Sequence, residues 1–103
     1  MKFTTIIINQ LFELIKKIEH NQHLDLYSRN IDRLHSAIEE EGFKIHDPSG
    51  ESYTETRTDC EANIVGKSKG KMRIKQVIKP AIYQKEGQGY QLVQRAIVIV
   101  EGE

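Results

Sequence analysis

The chain has 103 residues, enough for one compact domain or for a small domain with a helical appendage. Lys plus Arg total 15 and Asp plus Glu total 15, and this balance excludes wholesale attraction to nucleic acid or to an anionic membrane. Hydrophobic residues make up 38%, Trp is absent, and Phe plus Tyr total seven, which is lean for a self-sufficient core and points to burial by self-association.

The N-terminal 42 residues read at helical period. Thr4 or Thr5 can cap a first helix. Ile7, Leu11, Leu14 and Ile18 then recur at four, three and four residues, and Ile8, Phe12 and Ile15 widen the stripe beyond a two-stranded seam. Leu24, Tyr27, Ile31, Leu34 and Ile38 form a second set that is out of phase with the first. The break falls in the polar stretch His20-Asn21-Gln22-His23, with Asn as the helix-stopping residue. Two helices joined by a short turn is the preferred reading; one continuous helix of ~57 Å with a phase slip is the alternative. Gly42, after Glu39-Glu40-Glu41, suits the left-handed position that ends a helix.

From there the pattern changes to strands. Phe43-Lys44-Ile45-His46 alternates, and Asp47-Pro48-Ser49-Gly50 is a turn, with Pro presetting φ at the second position and Gly closing it. Residues 51–58 are polar and read as irregular. Cys60 to Val65 is a candidate strand, and 66–70 reads as a turn. Met72 to Ile78 is a strand that Pro80 stops or makes an edge. Gln84 to Gly89 reads as a flexible hairpin loop, and Leu92 to Val100 as one final strand. The expected fold class is α+β: residues 1–42 form a helical dimerisation region, and residues 43–103 form a small all-β domain.

Lys67, Lys69, Lys71, Arg73 and Lys75 recur at every second position, so on a strand they share one face while Met72, Ile74 and Gln76 share the other. Such a stripe is either a solvated outer face that protects an edge or a docking face for an acidic surface or a phosphate backbone. A small nucleic-acid-binding protein using residues 67–75 is therefore the alternative function, against which stand the balanced charge and the scarcity of strand aromatics.

Catalytic and metal motifs are not evident. Gly66-Lys67-Ser68 resembles the end of a phosphate-binding loop, but Glu61 stands where that motif needs its first Gly. His20 and His23 have only Asp25 nearby as a further ligand, so no metal site is expected. Cys60 with His46 could form a nucleophile pair, yet nothing in the sequence brings them together, and a partly buried strand Cys is the default. No enzyme activity and no cofactor are expected. A single Cys rules out an intrachain disulfide and fits a reducing compartment. No apolar run approaches the ~20 residues of a membrane span. The start, Met1-Lys2-Phe3, lacks the long apolar region of a secretory leader, so a cytoplasmic location is expected.

The order helix, polar turn, helix, Gly, strand, turn and strand-rich module resembles the C-terminal two-thirds of GrpE, the nucleotide exchange factor of DnaK-type chaperones. That family enters its β-wing through a turn of the form D-x-x-G-x-x-[FY], here Asp47-Pro48-Ser49-Gly50-Glu51-Ser52-Tyr53. Its V-[LI]-x-x-G-Y segment is matched loosely by Val77-Ile78-Lys79-Pro80-Ala81-Ile82, with Gly89-Tyr90 as the competing match. Its [LI]-R-P-A-x-V-x-V segment is matched by Val93-Gln94-Arg95-Ala96-Ile97-Val98-Ile99-Val100 at the apolar positions and Ala96. The resemblance covers about residues 7–100. The family's long stalk helix has no counterpart here, its Arg-Pro is Gln94-Arg95, and Cys60-Glu61-Ala62 stands in place of its His-Glu-Ala.

The resemblance implies a homodimer in which two helical hairpins form a four-helix bundle, and Leu11, Leu14, Ile18, Tyr27, Ile31, Leu34 and Ile38 are the expected interface. It further implies a DnaK-type chaperone ATPase domain as partner, contacted by the β-wing through Lys79, Tyr83 and Arg95. The reading carries no membrane, nucleic acid or metal partner.

Overall fold

A computed structural model describes residues 2–22, 24–66 and 70–102. Two helices precede seven strands: α1 (Lys2–His20), α2 (Leu24–Glu40), β1 (Phe43–His46), β2 (Ser52–Tyr53), β3 (Cys60–Val65), β4 (Met72–Lys79), β5 (Ala81–Glu86), β6 (Gly89–Gln94) and β7 (Ala96–Gly102). The architecture is α+β, a helical hairpin followed by a β region.

The hairpin breaks where the apolar phase slips. Asn21 stops α1 by satisfying its last turn: the backbone N–H and Nδ2 of Asn21 both donate to the Lys17 carbonyl, at 3.0 and 2.9 Å. Gln22, not Asn21, takes the left-handed conformation, with φ +62°. The single continuous helix is thereby excluded. At the other end, Gly42 closes α2 with φ +88°, and its N–H donates to the Glu39 carbonyl. The same glycine starts the sheet, because the N–H of Lys85 donates to its carbonyl at 2.7 Å. Helix α1 begins at Lys2, so Thr4 and Thr5 lie inside the helix and do not cap it.

The strands form two antiparallel-rich sheets. One has the order β1-β5-β6; the other has the order β2-β4-β7-β3, with β3 and β7 parallel. The chain crosses between them three times: through the turn after β1 to β2, at Pro80 from β4 to β5, and at Arg95 from β6 to β7. Pro80 is fully buried and supplies no ladder N–H, which suits a corner. The expected single strand over 92–100 is thus two strands, since its halves belong to different sheets. The expected flexible loop over 84–89 is also mostly strand. β5 runs to Glu86, and only Gly87-Gln88 turns, with Gly87 at φ +62°, an arrangement that fits a II′ hairpin.

The core lies mainly on the four-stranded sheet: Tyr53, Cys60, Met72, Ile74, Val77, Ala96, Val98 and Val100 are buried together with Ala81 at the start of β5, and Phe12 of α1 packs against them. Tyr53 shows that the polar stretch over 51–58 is not wholly irregular, because β2 pairs with β4 there. Gln76 departs from its expected face. The pairing of β4 with β7 shifts register between Ile74 and Gln76, so Gln76 is exposed and Val77 takes the buried place. A bulge adds one residue and reverses the alternation beyond it.

Helix α1 is docked on the β region. Ile8 is fully buried, Lys16 Nζ lies 2.6 Å from Asp47, and the side-chain amides of Asn9 and Gln94 exchange two hydrogen bonds of 3.0 and 2.8 Å. Nε2 of Gln94 also donates to the Pro80 carbonyl at 2.9 Å. One glutamine therefore ties α1 to the crossing at Pro80 and to the end of β6, next to the crossing at Arg95.

Candidate functional site

Helix α2 is held differently from α1. Among its described side chains only Ile31 is buried, and α2 nevertheless carries an apolar face. With α1 that face forms a groove of ≈ 360 Å³ lined by Leu11, Leu14, Ile15, Ile18, Tyr27, Asn30, Ile31 and Leu34. Among the described residues, no charged side chain lines it. Leu14 is 53% exposed, Tyr27 42% and Leu34 40%. An isolated helix of 17 residues gains little from its backbone alone and depends on packing of its apolar face. Six of the seven side chains expected at a dimer interface therefore share one open groove. Ile38 is placed apart from them. It lines a smaller cavity of ≈ 170 Å³ with Phe12, Ile15, Phe43 and Ile45, where α2 meets β1.

The wing residues are distributed over three places. Lys79 is exposed at the end of β4, opposite Ile97. Tyr83 lies in β5 between Lys44 of β1 and Leu92 of β6, half-buried against the core. Arg95 occupies the crossing to β7, where its Nη2 donates to the Cys60 carbonyl. Burial pushes the Tyr83 phenol above its ordinary value.

Beside Tyr83 is an ion-pair network that the sequence pattern does not single out. Arg57 grips Asp59 with two bonds, Nε to Oδ1 at 3.0 Å and Nη2 to Oδ2 at 2.8 Å. Arg57 also donates to the Ser52 carbonyl and lies 3.1 Å from Glu51, whose other oxygen is 2.8 Å from His46 Nε2. These bonds hold the Asp59 carboxyl below the usual carboxylate range and raise the Arg57 guanidinium. The network pins the otherwise irregular 54–59 segment to the start of β3. The only sequence signal was the pair Arg57 and Asp59 two residues apart.

The residues weighed for chemistry are occupied structurally. Cys60 is buried, and burial pushes its thiol up to about 11, so little thiolate forms at neutral pH. His46 faces Glu51. No cluster of three or more His, Cys, Asp or Glu side chains able to hold a metal occurs among the described residues; His23 lies outside them. Of the basic stripe, Lys67 and Lys69 lie outside the described residues. Arg73 donates to the Gly50 carbonyl at 2.8 Å, and Lys75 lies 4.0 Å from Glu101. The described part of the stripe is thus partly committed to its own protein. No described helix is long and apolar enough to cross a membrane.

No family model, no curated protein and no solved structure matches this chain.

Proposed function

We propose that the protein is a GrpE-like nucleotide exchange factor, a cytoplasmic homodimer that binds the ATPase domain of a DnaK-type chaperone and speeds ADP release. The observation that carries the reading is the helical hairpin itself: it enters a β-wing through Gly42 and exposes an uncharged apolar groove between its helices. An open groove of this kind is an association patch, and a second hairpin is apolar and uncharged in the same way. The order of elements around Gly42 and the turn at Asp47–Gly50 is the order on which the resemblance to GrpE rests.

The protein does no chemistry in this scheme. It prefers the open ATPase domain to the closed one, and the exchange rate follows that difference in affinity. Tight binding without such a preference shifts nothing. Lys79, Tyr83 and Arg95 supply contacts from the wing, and the helices supply the dimer. The test is stopped-flow release of a fluorescent nucleotide from a DnaK-type chaperone. Saturating protein should accelerate release, and an unchanged rate would overturn the reading. A triple Ala variant at Lys79, Tyr83 and Arg95 that accelerates release undiminished would overturn only the site assignment.

A further inference from the structure

We propose that the outer face of the four-stranded sheet is a second self-association surface, which packs on the same face of a second copy about a twofold axis along β7. Strand β7 is the element that needs a cover. Ala96, Val98 and Val100 are buried in the core, so Ile97 and Ile99, which alternate with them, leave the opposite face. A strand that is apolar on both faces has the pattern of one covered on both faces, whereas a half-exposed strand alternates apolar with polar. Helix α1 and the three-stranded sheet lie on the inner side, where Phe12, Tyr83 and Leu92 pack against the core. Val65 of β3 shares the outer face with the isoleucines and is 47% exposed.

Register decides the occupant. Lys79, Ile97 and Glu61 form one row across the face; Gln76, Ile99 and Asn63 form the next; Arg73, Glu101 and Val65 form a third. In every row β4 lies on one side of β7 and β3 on the other. Aligned sheets pack ~10 Å apart with strand directions within about 30°. A twofold axis along β7 then lays β4 of one copy over β3 of the other, row on row. Lys79 faces Glu61 of the second copy, Gln76 faces its Asn63, and the isoleucines meet their counterparts; symmetry repeats each contact. Within one copy Ile97 stands between Lys79 and Glu61, so this base and this acid complete each other only across the axis. The other twofold in the plane of the sheets runs across the strands. It would lay β4 on β4 and set its basic side chains against one another, which like charges oppose. A contact centred between Ile97 and Ile99 leaves Glu101 at the rim, where Lys75 of the same chain lies 4.0 Å from it.

The apolar centre is small and its surround polar, so this is a transient contact, weaker than the helical dimer. Lys79 also serves the proposed chaperone contact, and the two associations therefore compete. The sheet contact itself goes beyond the exchange reading and rests only on the face of the sheet.

The experiment is a dilution series of the full chain followed by amide NMR, from hundreds of micromolar down to tens. Dilution should shift the amides of Glu61, Asn63, Gln76, Lys79, Ile97 and Ile99. Glu61→Lys alone and Lys79→Glu alone each set like charges face to face, and each should weaken self-association at least about tenfold. The double variant exchanges the charges, restores the unlike pairs and should recover most of that loss. Both positions are exposed, so the resonances of buried Val98 and Val100 should stay in place. The shifts should also persist in Leu34→Glu, which removes the helical contact. Shifts that are absent, that fall only on other residues, or that vanish in Leu34→Glu would each overturn the proposal. So would single variants that associate as wild type, or a double variant as weak as the singles. The measurement needs no chaperone: its failure leaves the exchange reading standing, and a failure to accelerate nucleotide release leaves the sheet contact standing.

Discussion

Gln94 is one side chain on which three parts of the molecule depend. It satisfies the Asn9 amide in both directions and caps the Pro80 carbonyl at the corner between the sheets. Replacing Gln94 with Leu leaves those groups half-buried without their partner, which should cost ~1–3 kcal/mol in urea unfolding. Asn9→Leu should cost a similar amount, and the double variant less than the sum, because the second change removes the group that the first left unsatisfied. A strictly additive pair would show that the amides do not act together. Asp59 gives a second test at this scale. Its folded carboxyl titrates below the ordinary value of 3.8 because Arg57 bonds the ionised form. The unfolded state therefore binds a proton first as pH falls, so the stabilisation is complete above about pH 5 and is lost as pH drops through the folded value. The stability difference between wild type and Asp59→Asn should be constant from about pH 5 to 8 and shrink below about pH 4. A difference that stays constant in acid would show that the carboxylate charge is not involved.

At the scale of elements, the turn after β1 is fixed by glycine. The N–H of Glu51 donates to the Pro48 carbonyl, and Gly50, with φ +82°, is the third residue of that turn. This places the turn one residue later than the Asp47-Pro48-Ser49-Gly50 pattern suggests, with Asp47 Oδ1 accepting from the Ser49 N–H instead. A Cβ at Gly50 meets nothing within 4 Å, so the cost of Gly50→Ala is backbone strain alone, ~1 kcal/mol in thermal or urea unfolding. Features set by near neighbours in sequence were legible in this way: both helices, their break at Asn21, Gly42, β1, β3 and β4. What was not legible depends on distant pairing. Gln84-Lys85-Glu86 has the composition of a loop, yet it is strand because β1 and β6 bond it from both sides. Within Leu92 to Val100 the polar pair Gln94-Arg95 interrupts the apolar run, a local mark of the change of sheet that becomes readable only once the pairing partners are known. The candidate site divides along the same line. The groove residues were visible from helical spacing, whereas Lys79 and Glu61 are set level across β7 only through sheet register.

At the scale of the whole molecule, the two helices pose different problems. Helix α1 is fastened by Ile8, Phe12, Asn9 and Lys16, and would keep its place in a monomer. Helix α2 has only Ile31 buried among its described side chains, and Ile38 half-buried near β1. Its remaining apolar face lies open in the groove with α1, and under the proposed function a second groove covers it. Dimerisation and α2 helicity should therefore be coupled, and the unfolding midpoint should rise with protein concentration. Leu34→Glu puts a carboxylate into an uncharged groove, where burial in a dimer would leave it unpaired. Sedimentation at tens of micromolar should show wild type as a dimer and Leu34→Glu as a monomer with reduced far-ultraviolet helical signal. Leu26→Glu is the control: Leu26 is 71% exposed and does not line the groove, so this variant should remain dimeric. A monomeric wild type with full helix content would remove the helical interface from the proposed function. Dissociation of both variants alike would show that the contact lies on a broader face of α2 than the groove.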